Sequence, residues 1–178
     1  MSKAPGAPKI ARLSDLYAVA YRIEADAVER YQLLSAQMEV HNNPELAGIF
    51  RDLARAEGIH RDEIRRLAGE AGIDAVAHAD RVPTWRQGES PEEVDAGAAH
   101  YLMTPWHALQ LVLAGEQRAF AFFTSVSKTA KDAQIRRVAQ ELAAEEAEHV
   151  ELVHRLLRQH PAAPASWSSD LDPPLAQD

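Results

Sequence analysis

The sequence contains no cysteine. This absence excludes disulfide bonds, thiolate metal sites, iron–sulfur clusters and a cysteine nucleophile, so any bound metal must take oxygen or nitrogen ligands. Aromatic residues are also scarce, at 6%, whereas Ala, Glu, Arg and Leu recur throughout the chain. This composition favours long packed helices over sheets. We therefore expect an all-α fold.

The basic residues form no run, and 27 acidic against 19 basic residues give a formal charge of −8. Nucleic acid and anionic membranes are therefore poor partners. The opening MSKAPGAPKIARL lacks the apolar core of a signal peptide, and no window resembles a membrane span. We expect a cytoplasmic protein with one domain in residues 1–160, including a short N-terminal tail, and a disordered tail in residues 161–178.

Four stretches repeat apolar residues in alternating steps of four and three, which predicts four helices that each bury one face. We expect Ser14 to cap the first helix, and Pro44 and Pro105 to stand at the start of the second and third. The fourth ends before Pro161. The first two helices are joined by a short turn, whereas residues 72–103 are long enough to cross the whole bundle between helices 2 and 3. The pattern predicts a four-helix bundle with one long crossover.

Each apolar face is interrupted near its middle by residues that carry metal-binding groups. They are Glu24 on the first helix, Glu57 and His60 on the second, Glu116 on the third, and Glu146 and His149 on the fourth. Residues equidistant from a hairpin turn lie side by side in an antiparallel pair. Turns near residues 41 and 132 therefore bring the four helices' polar residues to one depth. We call these six residues the polar layer.

The string Glu-x-x-His occurs three times, whereas the composition predicts fewer than one by chance. The string alone therefore does not select a site. Two occurrences belong to the polar layer, but Glu151 and His154 fall on a helix face with Ala147 and Arg158 that should contact solvent. The helical pattern thus separates two candidate ligand pairs from one surface pair.

Four carboxylates in an apolar interior do not stay ionised unaided, because desolvation and mutual repulsion raise their pKa values. Two divalent cations would neutralise them, and the two imidazoles would supply one nitrogen ligand to each metal. Mixed carboxylate and imidazole ligands suit two iron ions, or manganese, and disfavour magnesium and calcium. We expect open coordination positions on the metals for dioxygen or hydrogen peroxide.

Tyr31 lies seven residues after Glu24, on the same helix face. It is either a catalytic residue, which donates a hydrogen bond or an electron, or an ordinary aromatic residue of the core.

These segments resemble the ferritin-like superfamily, and its rubrerythrin-like branch most closely. The resemblance covers residues 14 to about 160. It is carried by IEADAVERY around Glu24 and Tyr31, LARAEGIHRDEI around Glu57 and His60, LAGEQRAFAFF around Glu116, and LAAEEAEHVEL around Glu146 and His149. The resemblance implies a ferritin-like antiparallel four-helix bundle that holds two metals. It also implies that Glu57 and Glu146 bridge or chelate the metals and that Glu24 and Glu116 are terminal ligands.

The sequence departs from better-known relatives at three points. Without cysteine it has no rubredoxin domain, and Ala119 replaces the further glutamate that rubrerythrins place after the third-helix ligand. Gly58 stands where the haem-ligating methionine of bacterioferritin would align, so no haem is expected.

The resemblance implies a non-haem di-iron oxidoreductase that oxidises ferrous iron with dioxygen or hydrogen peroxide, with a role in oxidative stress. It would use an unidentified electron donor and form a homodimer or larger homo-oligomer. Two alternatives remain open at this point: a di-iron hydroxylase of an organic substrate, and a non-enzymatic module that stores or delivers iron.

Overall fold

The computed structural model describes residues 8–81 and 103–162 of the chain, and these residues form helices and no strand. The elements are α1 (Leu13–Val40), α2 (Pro44–Glu70), α3 (Ala75–Ala79), α4 (Pro105–Thr129) and α5 (Ala133–Gln159). The predicted all-α, ferritin-like bundle is confirmed, with α1, α2, α4 and α5 as its four long helices. The short α3 is an addition that the apolar pattern did not predict.

Side chains at the helix starts explain where these elements begin. The prediction that Ser14 caps the first helix is wrong, because α1 begins one residue earlier and Asp15 accepts hydrogen bonds from the backbone N–H groups of Ala11 and Arg12. α2 begins at Pro44, as predicted, and Asn43 caps it by accepting a hydrogen bond from the N–H of Leu46. Asp132 caps α5 in the same way.

The apolar core is divided into two clusters at opposite ends of the bundle. The first apolar cluster joins the N-terminal halves of α1 and α5 to the C-terminal halves of α2 and α4. The second apolar cluster joins the complementary halves, with Tyr31, Phe50 and Leu109 among its fully buried side chains. Because the N-terminal halves of α2 and α4 share one cluster, these helices run parallel. A parallel pair requires the long crossover that the sequence predicted between them.

Several predicted features lie outside the residues that the structure describes. Most of the predicted crossover, residues 82–102, lies outside the described residues, as do residues 163–178 of the predicted C-terminal tail. The domain boundary at residue 160 therefore stays a prediction. Within the described ranges, no helix is long and apolar enough to cross a membrane.

Candidate metal centre

The four glutamates of the polar layer are buried at the middle of the bundle. Glu24, Glu57, Glu116 and Glu146 are 3%, 3%, 1% and 2% exposed, and each lies on its helix between residues of the first and second apolar clusters. Among the described residues, only Ser35 is a comparably buried polar side chain, and its hydroxyl donates a hydrogen bond to the carbonyl of Ala47 at 2.8 Å. The buried glutamates of α2, α4 and α5 instead face the histidines of the polar layer.

The helices bring five residues of the polar layer into two groups of potential metal ligands. Glu57, His60 and His149 form one group, and Glu116, Glu146 and His149 form the other. Within each group the nitrogen and oxygen donor atoms lie within 4.8 Å of one another. The two groups share His149, so they form one continuous centre between α2, α4 and α5.

Both imidazoles face carboxylates at ion-pair distance. Nδ1 of His149 lies 3.4 Å from Oε2 of Glu116 and 3.5 Å from Oε2 of Glu146. Nδ1 of His60 lies 3.5 Å from Oε2 of Glu57. The two imidazole rings stack on each other, with centroids 4.2 Å apart and an interplanar angle of 13°. The spacing of three residues within each Glu-x-x-His pair places both side chains on one helix face, which explains the Glu57–His60 and Glu146–His149 contacts.

Several buried donor atoms of the centre make no hydrogen bond within the described part of the chain. They include Oε2 of Glu57, Glu116 and Glu146 and Nδ1 of His60. A buried polar atom left without a partner costs about 1–3 kcal/mol, and a charged group costs more. A divalent cation would satisfy several of these atoms together.

Protonation only partly relieves this charge when no metal is bound. Burial raises the pKa of Glu116 to about 7, and the charges of Glu57 and Glu146 add to this rise while His149 opposes it. Burial lowers the pKa of His149, but Glu116 and Glu146 outweigh burial and raise it to about 10. His149 is therefore protonated at neutral pH, and a metal ion must displace its proton to bind there.

The donors present fit two divalent cations. Four carboxylates carry a formal charge of −4, which two such ions would balance, and the two imidazoles would give each ion a nitrogen ligand. Oxygen and nitrogen donors without thiolate suit iron, manganese or zinc. The described residues are thus compatible with a di-metal centre, while the identity of the metal is left open by the ligands.

The other two predicted site residues lie on α1, outside both donor groups. Glu24 is buried on α1, in the same central part of the bundle as the other glutamates. Tyr31 is 1% exposed in the second apolar cluster, where it stacks on Phe50 with ring centroids 6.2 Å apart. Their roles as metal ligand and catalytic residue therefore stay predictions.

The competing Glu-x-x-His pair on α5 takes a different position. The side chain of Glu151 is 57% exposed and pairs with Arg158 at 3.3 Å, whereas that of Glu146 is 3% exposed. Neither Glu151 nor His154 belongs to a donor group. The helical face, and not the string of residues, distinguishes the two pairs.

One acidic side chain beside the centre was missed by the sequence reasoning. Glu145 precedes Glu146 and is exposed. Its charge interacts with both His60 and His149. Its spacing of four residues before His149 was the available signal, because side chains at i and i+4 lie on the same helix face.

Comparisons with known proteins agree with this architecture. A family model described as Rubrerythrin matches residues 15–100. A crystal structure of an uncharacterized conserved protein from Magnetospirillum magnetotacticum MS-1 is 32% identical, with a TM-score of 0.62, and the match covers 86% of this chain and 98% of that one. No curated protein matches the chain significantly.

Proposed function

Because the chain belongs to the rubrerythrin-like branch of the ferritin-like superfamily, we propose that it is a non-haem di-iron oxidoreductase that oxidises ferrous iron with dioxygen or hydrogen peroxide. One observation carries this proposal. Two donor groups that share His149 lie in the middle of an apolar core, and their buried carboxylate oxygens have no hydrogen-bond partner within the described residues. This arrangement is costly unless cations occupy it.

The donor residues would be divided between two metal ions. Glu57 and His60 would hold one, and Glu116, Glu146 and His149 would hold the other, with Glu24 as a further carboxylate ligand. Two bound iron ions would supply two electrons by passing from the ferrous to the ferric state. The protein's own contribution is to keep five donor atoms close together before metal binds, which reduces the cost of organising the site.

The two apolar clusters above and below the polar layer have a second role. They surround the donors with aliphatic and aromatic side chains, which strengthens electrostatic interactions in the centre by keeping the local dielectric constant low. Protons held by Glu116 and His149 would leave when metal binds there.

We propose Tyr31 as a residue that assists oxidation and does not hold metal. It lies seven residues after Glu24 and is shielded from solvent by the second apolar cluster. A Tyr31→Phe variant keeps the ring and its stacking on Phe50. It should bind the same amount of iron as wild type and oxidise it several-fold more slowly, as followed by stopped-flow absorbance of ferric iron. An unchanged rate would assign Tyr31 to the core alone.

An anaerobic titration of the metal-free protein with ferrous iron tests the di-iron proposal. We expect saturation at two ions per chain, followed by ferric absorbance when dioxygen or hydrogen peroxide is added in separate experiments. With peroxide, two ferrous ions should be consumed for each peroxide removed. The matched control is the Glu57→Ala, Glu146→Ala double variant. If wild type binds no more iron than this variant, the di-metal proposal fails.

The fate of the oxidised iron separates this function from its alternatives. Repeated oxidant consumption in the presence of a reductant supports an oxidoreductase, whereas ferric iron that accumulates without turnover would favour a storage or delivery module. Oxidant consumption that depends on an added organic substrate would favour a hydroxylase.

We further propose a cytoplasmic location and a homodimer or larger homo-oligomer. Size-exclusion chromatography with light scattering would measure the oligomeric state.

A further inference from the structure

The members of the polar layer differ in their access to solvent. The four glutamates are at most 3% exposed. In contrast, the side chains of His60 and His149 are 36% and 16% exposed. The centre therefore meets solvent at its histidines, on α2 and α5, and not at its carboxylates.

The stacked imidazoles form this solvent-exposed edge of the centre, which we call the opening. Their ring centroids are 4.2 Å apart, and each Nδ1 lies 3.5 Å from a glutamate oxygen of its own helix, Oε2 of Glu57 or Oε2 of Glu146. Both oxygens are buried and make no hydrogen bond within residues 8–81 and 103–162. The rings are nearly parallel and in van der Waals contact, so a cation must pass their exposed edges to reach these oxygens.

Two acidic side chains stand beside the opening. Glu145 precedes His149 by four residues on α5, and Glu63 follows His60 by three residues on α2, so each shares a helix face with its histidine. The side chain of His149 leans towards the N-terminus of α5 and thus over the turn that contains Glu145. Both carboxylates are exposed, so a hydrated ion can reach them.

Only one of these two carboxylates is available to a cation. Arg66 binds both oxygens of Glu63, at 2.8 and 2.6 Å, and thereby neutralises its charge. Glu145 forms no ion pair with an arginine or lysine among the described residues, and it interacts with both histidines of the opening. The α2 position four residues before His60 is Ala56, so α2 offers no counterpart to Glu145.

We propose that divalent metal enters the centre at the exposed edge of the His60–His149 pair, and that Glu145 captures the ion there and passes it to the buried carboxylates. This proposal rests on the proposed function, because it assumes that the centre binds metal. Glu145 is a transit residue: it binds the ion on the way in and on the way out, and it is not a ligand in the loaded centre. Removing its charge should therefore slow both binding and release and leave the affinity nearly unchanged.

Stopped-flow mixing of the metal-free protein with cobalt(II) tests this proposal, since the visible absorption of cobalt reports its coordination. In Glu145→Gln, the association rate constant at low ionic strength should fall by roughly fivefold relative to wild type. The dissociation rate constant, measured by chelator competition, should fall by the same factor. Equilibrium dialysis should give the wild-type number of ions per chain.

Glu151→Gln is the matched control, because it removes one negative charge from an exposed site on the same helix but on another face. Its association rate should stay close to that of wild type. Equal rates in the two variants would overturn the proposal, since Glu145 would then contribute only net charge. A loss of affinity or stoichiometry in Glu145→Gln without slower association would overturn it as well, by making Glu145 a ligand of the loaded centre. If wild-type protein binds no cobalt, the metal-centre proposal itself fails.

Discussion

The first hairpin, α1 and α2, contributes Glu57 and His60 to the two donor groups, and the second hairpin, α4 and α5, contributes Glu116, Glu146 and His149. Both hairpins carry the same order of residues, a glutamate followed by Glu-x-x-His. In the structure, however, His60 faces one carboxylate, whereas His149 faces two and belongs to both groups. His149 is also the less exposed of the two imidazoles.

This difference shows that equal spacing does not produce equal half-sites. The sequence pattern places a carboxylate and an imidazole on one face of each helix, but the packing of α2, α4 and α5 decides which carboxylates each imidazole meets. The second hairpin thereby becomes the more enclosed half of the centre. We therefore expect substitutions in the two hairpins to have unequal effects.

The largest difference is expected between the two histidine variants. His149→Ala should lose most metal binding because both donor groups lose a member, whereas His60→Ala should retain one ion per chain in the group of Glu116, Glu146 and His149. Anaerobic titration with elemental analysis measures both stoichiometries. Equal losses in the two variants would show that the hairpins are equivalent and that His149 is not the shared residue.

The next comparison lies within the second hairpin. Glu146→Ala should abolish normal loading with two metals, because Glu146 is buried beside His149, whereas Glu151→Ala should bind metal nearly as wild type does. Glu151 is exposed and paired with Arg158, an arrangement that contributes little to stability at a surface. The same titration measures this contrast, and the reverse result would show that the assignment of the inward face of α5 is wrong.

Protonation of the second hairpin predicts the pH dependence of the protein. The pKa of Glu116 is raised from 4.5 to about 7. The pKa of His149 is raised from 6.5 to about 10. Both shifts mean that the folded, metal-free protein binds protons more tightly than the unfolded chain. Its free energy of unfolding should therefore decrease as pH rises, over pH 4.5 to 7 for Glu116 and pH 6.5 to 10 for His149.

Metal binding should respond to pH in the opposite direction. Because the ion displaces these protons, its affinity should increase with pH, by up to about tenfold per pH unit for each proton released. Thermal unfolding of the metal-free protein and calorimetric titration in buffers of different protonation enthalpy measure the two effects. Glu116→Gln should weaken both dependences, and metal binding without proton release would contradict the assigned protonation of His149.

The smallest predicted effect concerns Gly58, which adjoins Glu57 in the first hairpin. A Cβ atom at this position would meet only Cγ2 of Val28, at 4.0 Å, which is an ordinary contact. Gly58→Ala should therefore raise the free energy of unfolding of the metal-free protein by about 0.5–1 kcal/mol, because alanine is the better helix former. Denaturant unfolding measures the gain, with Gly48→Ala as the control within α2. A destabilised Gly58→Ala variant would show that the helix needs glycine beside this ligand.

Much of the fold could be predicted from the sequence because helices follow local rules. The apolar spacing predicted the four long helices, and Pro44 and Pro105 marked two of their starts. The error at Ser14 has a local cause as well. Asp15 can accept hydrogen bonds from two backbone N–H groups at once, so the helix begins before the serine.

The candidate site was predictable only in part. The sequence specified which residues interrupt the apolar faces, and it distinguished Glu146 from Glu151 by helical position. It did not show that His149 would meet Glu116, since these residues lie on different helices and their approach depends on packing. The position of Glu145 beside both histidines could not be predicted for the same reason, because Glu145 is on α5 and His60 is on α2.

By itself, the sequence determined the all-α class, the helices and the residue types that reach one depth of the bundle, because these depend on periodicity and on the spacing from each turn. Only the tertiary structure decided that the core divides into two apolar clusters, that His149 is shared between two donor groups and that the centre opens at its histidines. These properties depend on distances between helices that are remote in sequence. Packing sets those distances, and no single helix encodes them.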